Sequence, residues 1–363
     1  MEPMLQIWVL IAAAKSIAIL SSRSQVSNRV TCTERKVDVM IHTVLTTDWG
    51  LRYPIIGAPM AGVAEAPLAA SITGAGGLGM IGIGSTASTD FLERQVDQMQ
   101  NARPYGLGLM VWALKKHPEL LDAALAAKPT LISLSFGDPA PYIARCHRSS
   151  IRVAVQVHDR QEARQAREAG ADILVAQGSE AGGHTGSVAT LPLLQIVLQE
   201  AFDLPVLAAG GIATPMGVAG VLAMGAAGAW IGTAFTVCGE ARTRAAGRHR
   251  LIEVTETDTI LTHVFDRIQD LDWPYEFPGR AIRNNFTAKW HGQETIMTNT
   301  PEASEEFAAH RGDYSVDYLY AGQAVGLVDR LRSAADLVQW LGQGAEDYLH
   351  QRIDMLVGHR ASQ

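Results

Sequence analysis

The chain has 363 residues, 47% hydrophobic and 18% charged, with a net charge of −7 and no basic tract. Such a chain can bury a large core, which excludes disorder, and nucleic acid is not an expected partner. Cys32, Cys146 and Cys238 are far apart and form no CxxC pair, which argues against a disulfide framework or zinc site and suits a reducing compartment, the cytoplasm.

Residues 4–20 are apolar enough to suggest a signal sequence or membrane anchor. Lys15 interrupts the run, no basic segment precedes it and no A-x-A site follows. A spanning helix wants about 20 apolar residues. The expectation for residues 1–40 is therefore a poorly ordered or helical extension, with no stable membrane association and Met40 as the effective start.

From Tyr53 onward, apolar runs alternate with helical patterns. The expected strands are 53–60, 78–84, 105–111, 130–136, 152–158, 171–178, 205–211 and 228–235. The expected helices are 66–74, 88–101, 118–127, 139–147, 159–170, 191–202 and 214–225. Thr214-Pro215 is a helix start with proline at the first helical position, and Asp159 caps another helix. Near-continuous apolar strands separated by helices imply a parallel sheet covered on both faces. Eight such units point to an α/β protein of the (β/α)₈ TIM-barrel class. An open doubly wound sheet would usually carry GxGxxG after its first strand, and Ala58-Pro-Met-Ala-Gly62 is not that fingerprint. The barrel is expected over residues 41–240 and 320–363. Residues 241–319 break the rhythm and read as a small helical insert after strand eight, acting as a lid.

Three strand ends could carry chemistry. Ala208-Ala-Gly-Gly-Ile212 and Trp230-Ile-Gly-Thr-Ala234 end the seventh and eighth strands, where barrels often bind phosphate through backbone N–H groups. The alternative is tight turns or close packing. Ala176-Gln-Gly-Ser-Glu-Ala-Gly-Gly-His-Thr-Gly186 ends the sixth strand and aims His184 out of a glycine bracket. An imidazole there can act as base or hydrogen-bond donor, or simply cap a loop carbonyl. Glu180 is a candidate second acid, although a solvated loop carboxylate is the plainer reading. The first strand ends in Ala58-Pro-Met60, where exposed backbone suits a flat heterocycle and Met60 could lie on its ring. The histidines show no metal-ligand spacing, so no metal is expected, and no GxSxG nucleophile is present.

Together these segments, with Ala75-Gly-Gly-Leu-Gly79 and Ala321-Gly-Gln-Ala-Val-Gly-Leu327, resemble the nitronate monooxygenase family, also called 2-nitropropane dioxygenases. The resemblance covers residues 45–345. It implies an FMN-dependent barrel that oxidises alkyl nitronates with O₂ to a carbonyl compound and nitrite. Carried over by position, Ala58, Pro59, Met60, Gln177, Gly182 and Gly183 match flavin contacts. Gly210, Gly211, Gly232 and Thr233 match the phosphate site, and His184 matches the catalytic histidine. Gln323 is expected to face the flavin or the substrate. Many members carry asparagine near the end of strand three, where this chain has Gly108; that puts the substrate in doubt. The implied partners are a small nitronate and O₂, and a homodimer is left open. The nearest alternative is a flavin-dependent, NAD(P)H-using enoyl-acyl-carrier-protein reductase, which shares the Gly-Gly-His loop. A non-catalytic flavin-binding barrel and an FMN-independent sugar-phosphate barrel also remain open.

Overall fold

The computed structural model describes residues 40–99 and 102–356. The expected extension over residues 1–40 lies, apart from Met40, outside the described residues. Eleven strands form among those described: β1 (Ile55–Gly57), β2 (Gly79–Gly82), β3 (Tyr105–Met110), β4 (Leu131–Ser135), β5 (Arg152–Val157), β6 (Ile173–Gln177), β7 (Gly183–His184), β8 (Val206–Ala209), β9 (Gly228–Ile231), β10 (Thr259–Thr262) and β11 (Gly279–Ile282). Eight of them make one parallel sheet in the order β1-β9-β8-β6-β5-β4-β3-β2. A parallel bridge between Ile56 and Leu78 joins its two edges and closes the barrel. Every expected barrel strand contains an observed one; the observed strands are shorter because their ends turn into loops.

Strand alternation sorts the side chains. Ile56, Leu78, Met80, Leu131, Ala154, Ile173, Val175, Leu207, Ala209 and Trp230 pack together inside the barrel, with Leu45 and Leu51 in the same cluster. Leu45 sits on the single helical turn Val44–Thr47. A Cβ added at Gly228, where β9 begins, would lie 2.6 Å from Leu45 Cδ1, so this turn plugs the bottom. The outward faces pack against the surrounding helices in a much larger apolar cluster.

The helix Pro215–Ala223 begins at Thr214, whose hydroxyl accepts from the Gly217 N–H. Asp159 likewise caps Arg160–Glu168. A long final helix, Ala334–Leu356, completes the ring. It is tied to the entrance of β1 by Glu346, a fully buried carboxylate that takes both Arg52 nitrogens, Nη1 at 2.6 Å and Nη2 at 3.0 Å.

The segment expected to be a helical insert is not purely helical. It contains β10 and β11, paired antiparallel, as well as helices such as Val264–Ile268, Asn285–Trp290 and Pro301–Ala309. Its own apolar cluster includes Phe265, Phe286, Trp290, Met297 and Phe307. β11 also pairs with β7, with Gly279 opposite His184 and Arg280 opposite Gly183. The insert is thus helical for much of its length and adds one short antiparallel pair, whose four-residue strands are too short to leave a clear periodic trace.

The Arg52–Glu346 pair gives a stability test. Glu346→Gln keeps the shape and removes the charge, leaving a buried amide against a guanidinium. Denaturant unfolding should show a loss of about 1–3 kcal/mol, and an unchanged midpoint would show that the pair contributes nothing.

Candidate functional site

The carboxyl ends of the strands converge on a mouth whose inward positions change from apolar to small or polar. One step above the Leu131–Ala154–Ile173–Val175 layer lie Ser133, Gln156 and Gln177, and β2 and β3 contribute Gly82 and Gly108. Ser133 Oγ is buried and has no hydrogen-bond partner among the described residues. A buried hydroxyl left unpaired in a barrel interior is costly unless a ligand meets it, and here it lies directly beneath the mouth.

The end of β1 folds inward across β2 and β3. A Cβ at Gly108 would lie 2.4 Å from both Cβ and Cγ of Pro59, and one at Gly82 would lie 2.5 Å from the Ala61 nitrogen and the Met60 carbonyl carbon. Both glycines therefore make room for Pro59, Met60 and Ala61. The space beside Gly108 is filled by the Pro59 ring. On the other side, Met60 Sδ would be 3.3 Å and Ala58 Cβ 3.5 Å from a Cβ at Gly232.

The remaining glycine-rich segments interlock. Gly210 and Gly211 take left-handed φ values of 98° and 74°, a turn open to glycine and costly to other residues. Among the described residues nothing accepts from the backbone N–H of Gly211 or Gly232, so both remain available to an anion. Gly183 is also left-handed, with φ 73°. Gly182 has a structural reason as well, since a Cβ there would lie 2.5 Å from the Gly322 nitrogen. The Gly322 N–H donates to Thr233 Oγ1 (2.9 Å), and the Gln323 N–H donates to the Glu180 carbonyl (2.9 Å). The Gln323 side chain is exposed. Thus Gly182 and Glu180, by their backbones, and Thr233, by its hydroxyl, hold the 321–323 segment against the sixth-strand loop.

Glu180 differs from the solvated loop carboxylate expected. Its Oε2 accepts from the Thr190 N–H (2.7 Å) and Oγ1 (2.8 Å), at the first residue of the helix Thr190–Ala201. A carboxylate there satisfies free N–H groups and complements the helix dipole.

His184 is buried on β7. Its Nε2 lies 2.9 Å from Asp266 Oδ1, so Nε2 carries the proton in that bond. Among the described residues nothing bonds to Nδ1. Tyr320 makes a long contact of 3.5 Å from its hydroxyl to the same carboxylate oxygen. Burial, reinforced by the Asp266 charge, pushes the Tyr320 phenol well above the ordinary tyrosine value, so it stays a donor. Asp266 Oδ2 is buried without a hydrogen bond, and His263 Nδ1 stands 3.8 Å from it. Burial holds the His263 ring below the usual histidine value. Asp266 is buried within the insert, where it faces three side chains that can donate a proton.

An aromatic wall covers this pair. Trp273 stacks on His184 with ring centres 3.3 Å apart and planes 5° apart. Phe136 contacts His158, His184, Trp273 and Phe277. Phe136 itself adopts φ 62°, a conformation unusual for a bulky residue and of the kind found at functional sites.

Sequence reasoning did not single out Asp266, Trp273, Phe136, Ser133 or Tyr320. Trp273 had a signal in the aromatic Asp272-Trp-Pro-Tyr-Glu-Phe-Pro-Gly279 loop, and Ser133 had one as a polar residue in inward register with Leu131. Asp266 had none, being 82 positions from His184. Cys146 and Cys238 are buried free thiols, pushed by burial up to about 11 and about 12, so neither has the makings of a nucleophile. Among the described residues no cluster could hold a metal ion, and no helix is long and apolar enough to cross a membrane.

Comparison with known proteins adds an independent line. The nitronate monooxygenase family pattern matches residues 119–344, and the IMP dehydrogenase / GMP reductase domain pattern matches residues 25–196. The nitronate monooxygenase of Paraburkholderia phytofirmans is 31% identical, across 85% of this chain and 95% of that protein. FabK from Thermotoga maritima superposes with a TM-score of 0.76 at 25% identity, covering 87% of this chain and all of that one. The nitroalkane oxidase of Streptomyces ansochromogenes gives a TM-score of 0.70 at 28% identity over 84% and 98% of the two chains.

The packing of Pro59 on Gly108 can be tested directly. Gly108→Asn forces a Cβ onto the proline ring, so thermal unfolding should show destabilisation of about 1–3 kcal/mol. A variant as stable as the parent would mean that the strand-one tail yields freely.

Proposed function

Because this chain belongs to the nitronate monooxygenase family of flavin-dependent oxidoreductases, we propose that it binds FMN and oxidises alkyl nitronates with O₂ to a carbonyl compound and nitrite. The observation that carries the reading is the His184–Asp266 pair at the barrel mouth. Bound FMN would supply the electron acceptor. The residues present fit such a group. Gly210, Gly211, Gly232 and Thr233 lie at two turns with free backbone N–H groups suited to a phosphate. Ala58, Pro59, Met60, Gln177, Gly182 and Gly183 line the side where a flat ring would lie, and Ser133 Oγ offers an otherwise unpaired polar atom beneath it.

His184 acts on the substrate. With Nε2–H committed to Asp266, Nδ1 is left without a partner among the described residues. That nitrogen can remove the α-proton of a neutral nitroalkane, and the Asp266 carboxylate stabilises the imidazolium that results. Once protonated, Nδ1–H can donate to the oxygens of a nitronate. Trp273, Phe136 and Phe277 exclude water and present an apolar surface to a small alkyl group. Residues 241–319 act as a lid, since they deliver both Asp266 and Trp273.

A second reading, an NAD(P)H-using enoyl-acyl-carrier-protein reductase, draws on the shared Gly-Gly-His loop and on the similarity to FabK. Anaerobic NADPH bleaches the flavin of such a reductase and leaves that of a nitronate monooxygenase oxidised.

The purified protein should be yellow and should release nitrite from ethylnitronate or propionate 3-nitronate. His184→Asn should keep its FMN and lose at least about a hundredfold in turnover, the scale of one acid–base group; full activity in that variant would remove His184 from the chemistry. Asp266→Asn should cost about 10–100-fold in kcat by analogy with other groups that orient a histidine, with FMN content unchanged. Equal loss of FMN and activity would instead indicate a purely structural Asp266.

A further inference from the structure

His158 follows β5, is buried, and has no part in the chemistry proposed above. Its backbone N–H donates to Glu162 Oε2 (2.8 Å), and its ring Nδ1 lies 2.9 Å from the same oxygen. Its Nε2 lies 2.9 Å from Gln177 Oε1. That carbonyl oxygen also accepts from Gln156 Nε2 at 2.7 Å. Both ring nitrogens of His158 therefore face oxygens, and Gln156 Nε2 also lies 3.5 Å from His158 Nε2. The ring is clamped between Phe136, nearly parallel at 5.6 Å, and Phe277 at 4.9 Å. Gly186 closes its other side, since a Cβ there would lie 2.5 Å from His158 Cβ. Little freedom is left for the imidazole to rotate.

The consequence falls on Gln177. It is the last residue of β6 and shares the inward face with Ile173 and Val175. Its carbonyl oxygen is used twice, whereas its amide nitrogen has no partner among the described residues. An isolated glutamine can present either end of its amide to a ligand, but this one cannot. We infer that the His158–Glu162 ion pair is a positioning device that locks the Gln177 carboxamide with its N–H pair toward the mouth, so that Gln177 donates to an acceptor atom of the bound cofactor. The inference rests on the FMN reading above and deepens it: the amide would bond an electron-rich ring atom and stabilise the reduced, more negative cofactor.

Three measurements test it. Selectively ¹⁵N-histidine-labelled protein, with His158 assigned by His158→Gln, should show both His158 ring nitrogens at protonated shifts, with or without FMN. One unprotonated ring nitrogen overturns the ion pair. Glu162→Gln removes the anion from a partly exposed position and should leave the unfolding midpoint near that of the parent. It should weaken FMN binding about tenfold, the equivalent of one hydrogen bond, and lower the flavin midpoint potential. Unchanged affinity and potential in a folded Glu162→Gln protein overturn the positioning role. Gln177→Glu, isosteric but without donors, should bind FMN more weakly still; binding equal to that of the parent means that Gln177 presents its oxygen. A parent protein that takes up no FMN defeats the cofactor reading and this use of Gln177 with it, while the ring-nitrogen shifts still decide the ion pair.

Discussion

The two-residue pairing of β7 with β11 is the constraint on which the site depends. It sets His184 opposite Gly279 and fastens the loop after the sixth barrel strand to the insert. Gly279 is part of the device, because a Cβ there would lie 3.3 Å from His184 Nε2 and 2.8 Å from the Tyr320 ring. From that pairing follow the approach of Asp266 to Nε2 and of Trp273 to the ring face. A histidine on a free loop would sample many orientations. This one has its hydrogen-bonding edge, its face and its backbone held by three separate parts of the insert.

Below it, the barrel supplies a graded interior. Apolar side chains fill the lower layers and exclude water. The upper positions carry Gly82, Gly108, Ser133, Gln156 and Gln177, which leave space and polar atoms where a ligand would enter. The tail of β1 runs inward over two of those glycines, so Pro59 forms part of the floor. Gly182 and Gly322 let two backbones touch on the opposite rim. Much of the glycine clustering thus serves backbone-on-backbone approach, while among the described residues the N–H groups of Gly211 and Gly232 have no partner.

Polar order at the mouth is built in connected pairs. His158 and Glu162 act on Gln177, Asp266 acts on His184, and Glu180 holds the start of the helix that follows the loop. Each buried charge meets a donor, as the low dielectric of the interior requires. Among the described residues five buried side-chain atoms lack a partner, Trp112 Nε1, Ser133 Oγ, Thr243 Oγ1, Asp266 Oδ2 and Trp290 Nε1. Of these, Ser133 Oγ lies inside the barrel and Asp266 Oδ2 belongs to the carboxylate that meets His184.

Alternation of apolar runs and helical patterns was enough to determine the barrel, because each βα unit is local and its strand, helix and cap signals lie within about thirty residues. The glycine-rich strand ends and His184 were legible for the same reason, as each is a contiguous motif. The insert was read as helical without its two short strands, and Glu180 as a solvated carboxylate. Only tertiary structure decided these points: β11 pairs with β10 and with β7 in another loop, and Glu180 meets Thr190 by a turn of the chain. Asp266 carries no local mark at all. Its role depends on a contact across 82 residues, and contacts of that span are set by how the insert packs on the barrel, which no periodicity along the chain encodes.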